Sequence, residues 1–504
     1  MDFAAASQID IAARPAVVSE QALSADTLRR RGAVFTGEAL GDWPWLRAAG
    51  RGLVVSGLPG TLVMIDGLRL APAANGVVDL SLLPLGLLDG ARLSAGAASA
   101  AQGAGALSGL VDASLAAVDG SGRLLAAAGA QDGRSIGLVD LRLGNDFGWL
   151  GGGFTRGGTL PGIGATGQDR WHLAGRFQQD VGDIQLWGRG LFASRREGAA
   201  RADWHDAALG VAGGTRWRWR LAVSTGGHAE TAGASSRLGQ ARAVVSGPTG
   251  LQLPGAAEPI SLAVGAEWRR LRLGAATVRA RELFAEAAVP IVQDKPAAEN
   301  LVATLRVRQA WLAGRAETLW QTGLRWEAFP GIALRGQAGR GIDDFGALSG
   351  TSRSIGLIAT PAFVPGFALT LDRRWQTLGQ TLGQTLGQSQ GAARVQAVDV
   401  AASWRGRVGD GAQLVLSAQG VWHDRADFTP LPVPRFAGAV RATLETGPWA
   451  VSAGVRHRTA LPGGLDVSVE RQLSERVRLA FSVSNAGNAQ PTGRQALLQV
   501  VAGF

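Results

Sequence analysis

Residues 216–224 read Arg-Trp-Arg-Trp-Arg-Leu-Ala-Val-Ser, and an extended chain puts Trp217, Trp219, Leu221 and Val223 on one face and Arg216, Arg218, Arg220 and Ser224 on the other. The same separation recurs along the chain. In Arg476–Ser484, Val477, Leu479, Phe481 and Val483 oppose Arg478, Ala480 and Ser482. Ala303, Leu305 and Val307 oppose Thr304, Arg306 and Arg308, and Leu414, Leu416, Ala418 and Trp422 oppose Gln413, Ser417, Gln419 and His423. A period of two marks strands, and from about Gly122 onward such segments alternate with Gly, Asp, Pro and Ser clusters that mark turns.

Alternation alone suits a soluble sandwich as well as a membrane barrel. Residues 122–504 divided among 22 strands leave about 17 residues per strand and turn, enough for the roughly ten-residue tilted strands of a large plugged barrel. The chain closes on LLQVVAGF, with Leu498, Val500, Ala502 and Phe504 in one register. The expected fold is an all-β transmembrane one, an antiparallel outer-membrane β-barrel of about 22 strands, preceded by a small N-terminal α+β domain that the resemblance given below makes a plug in the lumen.

Composition agrees with that reading and removes others. No run of 18 uncharged apolar residues offers a helical span. The chain has 73 glycines and no cysteine, which suits many turns and close strands and excludes disulfide scaffolds and thiolate chemistry. Lys295 is the only lysine among 50 basic residues, so the net charge of +10 is carried by arginines. They are dispersed at alternating positions, which points to a charged lumen and not to nucleic acid. Of the 16 tryptophans, Trp204, Trp219, Trp311 and Trp422 lie near segment ends and are candidates for interfacial girdles. The tandem TLGQ at Thr377–Gln388 reads as a surface loop. The opening MDFAAASQID shows no secretory signal, which an outer-membrane chain needs, so the sequence is read as a mature form or as starting late.

Before Gly122 the pattern changes to apolar runs with helix-compatible stretches such as Ser24–Arg31. There TLVMIDGLRL at Thr61–Leu70 and VDLSLLPLGLLDGARLSAGAASAAQGAGALSGLVD at Val78–Asp112 follow one another. Their order is a strand ending in Asp66-Gly67, a loop, a Leu-Pro-Leu segment, a strand and a glycine run. This resembles the plug of TonB-dependent receptors, most nearly the vitamin B12 receptor type. SNAGNAQPTGR at Ser484–Arg494 is similar to the stretch before the last strand of that family. Asp66-Gly67 favours a tight reversal, and Gly96, Gly103, Gly105 and Gly109 permit close backbone approach. The sequence departs from the family pattern at Ser56-Gly57, Arg92 and Gln102, where the family has Arg-Gly, a glutamate and a tyrosine.

The resemblance implies residues 1–20 as a TonB-box and linker segment, 21–121 as plug and 122–504 as barrel. It implies uptake of a scarce solute (a metal chelate or siderophore, cobalamin or a glycan), with the TonB protein of the inner-membrane energising complex, the barrel-assembly machinery and outer-membrane lipid as partners. The terminal phenylalanine looks like the assembly signal. The TonB-box candidate is Ile9, Asp10, Ile11 and Ala12 within Ile9–Arg14, which would pair by strand addition. Ligand contacts fall on the apical plug loop Ala71–Val78 and its flanks, at Arg69, Asn75, Gly76 and Asp79. Lumen arginines such as Arg218, Arg306 and Arg478 would favour anions, or pair with plug carboxylates.

No cofactor, resident metal or enzyme chemistry is expected. His172, His205, His228, His423 and His457 show no ligand spacing, and the repeated Trp-His-Asp at 204–206 and 422–424 reads as a belt tryptophan before turn residues. GIGATG at Gly162–Gly167 opens no helix, and there is no G-x-S-x-G. The other function open to such a chain is a receptor-derived barrel that no longer transports and serves in surface interaction or signalling.

Overall fold

The computed structural model describes residues 20–24, 36–41, 43–44, 46–49, 52–131, 134–157, 168–231, 233–295, 298–344, 346–380, 393–409, 411–427, 433–459, 461–485 and 494–504. Two units form from one chain. The first contains strands β1 (Glu20–Ser24), β2 (Leu46–Ala49), β3 (Gly52–Val55), β4 (Thr61–Ile65), β5 (Leu68–Arg69), β6 (Leu88–Ala95) and β7 (Gly109–Leu115). Helices α1 (Thr36–Gly41) and α2 (Ser99–Gln102) are a turn or so long. Five strands make a mixed sheet in the order β1-β6-β7-β4-β5, with β4 and β7 parallel, and β2 pairs with β3. Ser24 ends a strand; the rest of the helix-compatible stretch Ser24–Arg31 lies outside the described residues.

The second unit is a closed antiparallel barrel of 22 strands among the described residues. Each strand bonds to its sequence neighbours, and the first, Arg123–Gln131, closes on the last, Gln495–Gly503. Closure leaves no free edge, so every strand can satisfy its backbone inside hydrocarbon. No helix among the described residues is long and apolar enough to cross a membrane.

The alternating faces separate as read from the sequence. Leu221 and Val223 are exposed on the outside while Ala222 and Ser224 are buried in the lumen. Leu305, Val307, Phe481 and Leu498 also point out, and Arg308, Ser482 and Leu497 point in. A surface so continuously apolar marks the lipid contact. Trp311 and Trp422 lie on it, and Trp219 shares that face half-buried. Trp204 differs from expectation: even positions of Ala200–Gly213 face inward, so its ring is buried in the cluster that holds Leu40, Leu80 and Leu87 of the plug. The Trp-His-Asp at 204–206 therefore carries a lumen tryptophan, while Trp422 is outside and its neighbour His423 is inside. The TLGQ repeat is also not all loop. Thr377–Gln380 continues the strand Phe367–Gln380, and Leu378 packs inward on Leu58 and Leu107; the remaining units lie outside the described residues.

Gly122 and Phe504 exchange backbone hydrogen bonds of 2.7 and 3.1 Å, so the plug enters the barrel wall at the end where the chain terminates. That end corresponds to the periplasmic side of plugged barrels and the opposite rim to their outer side. The strands that precede most of the longer connections, ending at Arg156, Gln380, Asp427 and Ser484, end at the outer rim. Other rim connections are very short, such as 198–199 and 313–314.

The face assignment sets a test. Leu305 sits mid-strand on the lipid face, so Leu305→Arg is expected to cost about 2–4 kcal/mol of barrel stability in a bilayer, whereas Leu305→Ala costs much less. Equal losses for the two in reversible unfolding into lipid vesicles would contradict the assignment.

Candidate functional site: the seat of the plug

The tight reversal between β4 and β5 is the first point of attachment. Asp66 and Gly67 both adopt positive φ, 49° and 76°, which a glycine takes without a Cβ clash. The Asp66 carboxylate accepts from Leu115 N at 3.2 Å, and Asp112 accepts from Gly67 N at 3.1 Å, so the turn is tied to β7. Its outer carbonyls face the wall and need donors. Four barrel arginines surround it. Arg189 donates to Ile65 O and lies 3.4 Å from Asp66 Oδ2; Arg220 donates to Asp66 O at 3.4 Å, and Arg242 to Gly67 O at 3.2 Å. Arg176 stands 3.9 Å from the Asp66 carboxylate and donates to the carbonyls of Leu115 and Ala116 at 3.1 and 3.2 Å.

A second attachment lies nearer the outer rim. Arg69 of the plug pairs with Glu267 at 3.1 Å and Asp344 at 3.0 Å, and donates to the carbonyls of Gln102, at 2.9 Å, and Ala104. Arg269 pairs with Asp344 at 2.7 Å and Glu282 at 3.4 Å, and Arg308 with Glu282 at 2.6 Å and Glu267 at 3.5 Å. Arg308 also donates to the carbonyls of Ala100 and Ala101 at 3.2 and 3.1 Å, satisfying the open end of α2. Three guanidinium groups thus alternate with three carboxylates, all but Asp344 almost fully buried. Burial, and then the neighbouring Arg269, pull the Arg69 pKa below its ordinary value, while Glu267 and Asp344 oppose them.

This packing explains the glycines. At Gly103, φ 94°, an added Cβ would run into the Arg69 guanidinium, and at Gly105, φ 102°, into the Asp344 carboxylate. Gly96 lies against Ser352 of the wall, and Gly109 against β6 and Val55 within the plug. Further contacts complete the seat. Ser352 Oγ accepts from Ala97 N at 2.9 Å, Arg374 donates to Ser56 Oγ at 3.1 Å, and Gln376 donates to Ser108 O at 3.2 Å. Ser56, where the sequence departs from the family pattern, is tied to the wall through Arg374.

The expected ligand residues divide. Asn75 and Gly76 are exposed at the tip of the loop, where Asn75 Oδ1 accepts from Val77 N at 3.0 Å. Arg69 and Asp79 are buried beneath it. Asp79 accepts from Ser81 N at 3.0 Å and from Arg195 of the wall. The loop is fastened by Ser236 Oγ donating to Pro72 O and by Gln240 donating to Arg69 O at 3.1 Å. The three lumen candidates are scattered. Arg306 pairs with Glu286 at 2.8 Å and Arg478 with Glu470 at 3.5 Å, both carboxylates of the barrel, and Arg218 is exposed at the periplasmic end of its strand. Ile9–Ala12 lies outside the described residues.

Residues 12–110 match the TonB-dependent Receptor Plug Domain family. No curated protein matches. Among solved structures, the ferric enterobactin receptor of Pseudomonas aeruginosa superposes with a TM-score of 0.80 at 12% identity, covering 96% of this chain and 99% of that one. The siderophore receptor PirA of the same organism gives 0.76 at 13%, covering 96% and 99%. The alcaligin receptor FauA of Bordetella pertussis gives 0.72 at 13%, covering 98% and 96%. None of the three is a vitamin B12 receptor. Residues 12–110 are thus a plug of the TonB-dependent receptor type, held inside a 22-stranded lipid-facing barrel whose fold the superposed outer-membrane receptors share.

Sequence reading missed Arg189, Arg242, Arg269, Glu267, Glu282 and Asp344. The visible signal was the Glu-Trp-Arg-Arg-Leu-Arg alternation at 267–272, which carries charge on both faces. The ion network predicts that Arg69→Ala, by stranding buried carboxylates, destabilises plug seating by about 3–5 kcal/mol. Adding Glu267→Ala should recover part of that loss in a double-mutant cycle on urea-induced plug release. Additive losses would show that the pair does not couple.

Proposed function

We propose that the protein is a TonB-dependent receptor that takes up a ferric chelate across the outer membrane. The observation that carries this reading is the chemistry of the seat. The plug is fastened by arginine-to-carbonyl bonds and ion pairs, which water can replace one by one when a pull opens the interface, whereas an apolar core would resist. The superposed receptors named above, one for a siderophore and one for ferric enterobactin, favour an iron chelate as cargo over cobalamin or a glycan.

In this reading residues 1–20 hold the exchange segment, 21–121 the plug and 122–504 the barrel. Asn75 and Gly76 make the first ligand contacts from the loop tip, with Arg69 and Asp79 fixing the loop from below. Arg218, Arg306 and Arg478 contribute a basic lumen along the path. Ile9, Asp10, Ile11 and Ala12 pair with TonB as an added strand, and the outer-membrane assembly machinery recognises the strand ending in Phe504. The very short rim connections at 198–199 and 313–314 favour one other reading, a barrel of the same descent that binds at the surface without transport.

Uptake separates the two. Energised uptake of a radiolabelled ferric siderophore, measured across a panel of chelates, should need an intact TonB system. Ile11→Pro removes a donor and fixes φ in the exchange strand, so it should abolish uptake and leave binding of the same chelate intact. Binding without TonB-dependent uptake for every chelate would favour the non-transporting barrel.

A further inference from the structure

On the outer surface of the barrel, just below the outer rim, strands Ser235–Pro248, Ser261–Leu273 and Ala276–Lys295 carry Arg237, Arg270, Arg272, Arg279 and Arg281, all exposed. Their facing is fixed by register. Glu267, Arg269 and Leu271 are buried in the lumen, so Trp268, Arg270 and Arg272 point out; Ala280 and Glu282 are buried, so Arg279, Arg281 and Leu283 point out. Cross-strand pairing then sets Arg237 opposite Arg272 and Arg270 opposite Arg279. Like charges directly opposite each other in a sheet are destabilising unless an anion lies between them.

No carboxylate supplies that anion. The outward positions of these three strands near the rim, and of the flanking strands Arg218–Glu230 and Ala298–Leu312, hold no acidic residue. Among the described residues no ion pair is formed by Arg237, Arg270, Arg279 or Arg281, and the Arg272 side chain donates only to Gly274 O, at 3.0 Å. Elsewhere on the outer surface several arginines have carboxylate partners: Arg156 with Asp169, Arg201 with Asp203, Arg373 with Asp424 and Arg425 with Asp427. Arg353, exposed in another sector, stands opposite Trp375 and not a second arginine.

The height of the facing arginines identifies what they meet. Arg281 lies beside Trp268 on one side and Trp311 on the other, both exposed on the lipid face. Tryptophans on that face mark the headgroup level, and below them the surface turns apolar at Val264, Leu283 and Leu305. Arginine matches phosphate with paired N–H donors. We propose that this sector is a binding site for the phosphate groups of an outer-leaflet lipid headgroup, which insert between the facing arginines.

The test uses the full chain purified in mild detergent and a bisphosphorylated glycolipid, lipid A, with native mass spectrometry and titration as readouts. The wild type should retain lipid A, and its dephosphorylated form should bind much more weakly. Arg270→Gln with Arg279→Gln should weaken binding at least about tenfold, the scale of one lost charge-assisted contact. Arg201→Gln, which removes a charge already paired with Asp203, should leave it unchanged. If the double variant fails to insert, Arg281→Gln alone should give a smaller loss in the same assay. Equal affinity for the dephosphorylated lipid, unchanged binding by the variants, or displacement of lipid A by millimolar inorganic phosphate would overturn the proposal.

Discussion

The structure depends on guanidinium groups of the barrel wall donating to main-chain carbonyls of the plug. A folded unit placed inside a barrel brings turns and helix ends whose carbonyls have no partners of their own, and leaving them dry is costly. Arg189, Arg220 and Arg242 meet the carbonyls of 65–67, Arg176 those of 115 and 116, and Arg308 those of 100 and 101. Each of these arginines is itself a buried charge that needs compensation. That need explains Asp66, Asp206, Glu267, Glu282 and Asp344 at the same level, and with them the glycines that let backbone reach the ionic groups.

The division of labour has a mechanical consequence. The plug's own apolar core lies in the clusters around Leu40, Leu80 and Leu93 and around Leu62, Met64 and Leu110, and wall side chains join it in separate patches, with Trp149, Leu191 and Trp204 in the first, Leu378 beside Leu58 and Leu107, Trp187 beside Leu68, and Leu238 and Leu271 beside Ala71. Between these patches the plug is joined to the wall by many separate polar contacts. Such an interface can hold the lumen closed and still yield stepwise, since each broken bond is replaced by a bond to water. The same density of charge on the wall's lipid face would be costly.

Much of this was legible in residues 216–224 and their repeats, because a period of two reports which side of a strand is which without any knowledge of the partner. Chain length left room for 22 strands, and the plug was read from a family resemblance carried by Asp66-Gly67 and the ordered glycines. The fate of individual arginines was not legible. Arg69 reads from sequence as a loop residue facing ligand, yet its guanidinium turns down into a network whose members, Glu267 and Asp344, are some two hundred residues or more away along the chain. Trp204 reads as a belt residue because it ends a segment; only the register of Ala200–Gly213 shows that even positions face the plug. In both cases the missing information is which face a long-range partner occupies.

The claim that arginine donors seat the plug is tested most directly by hydrogen exchange on the full chain in lipid, comparing the wild type with Arg189→Gln/Arg242→Gln. The account predicts that amides of Thr61–Leu70 and Gly109–Leu115 lose protection in the variant while those of the barrel strand Arg218–Glu230 keep theirs. Unchanged protection of the plug would contradict it, because the turn would then be held by its own packing and not by the wall.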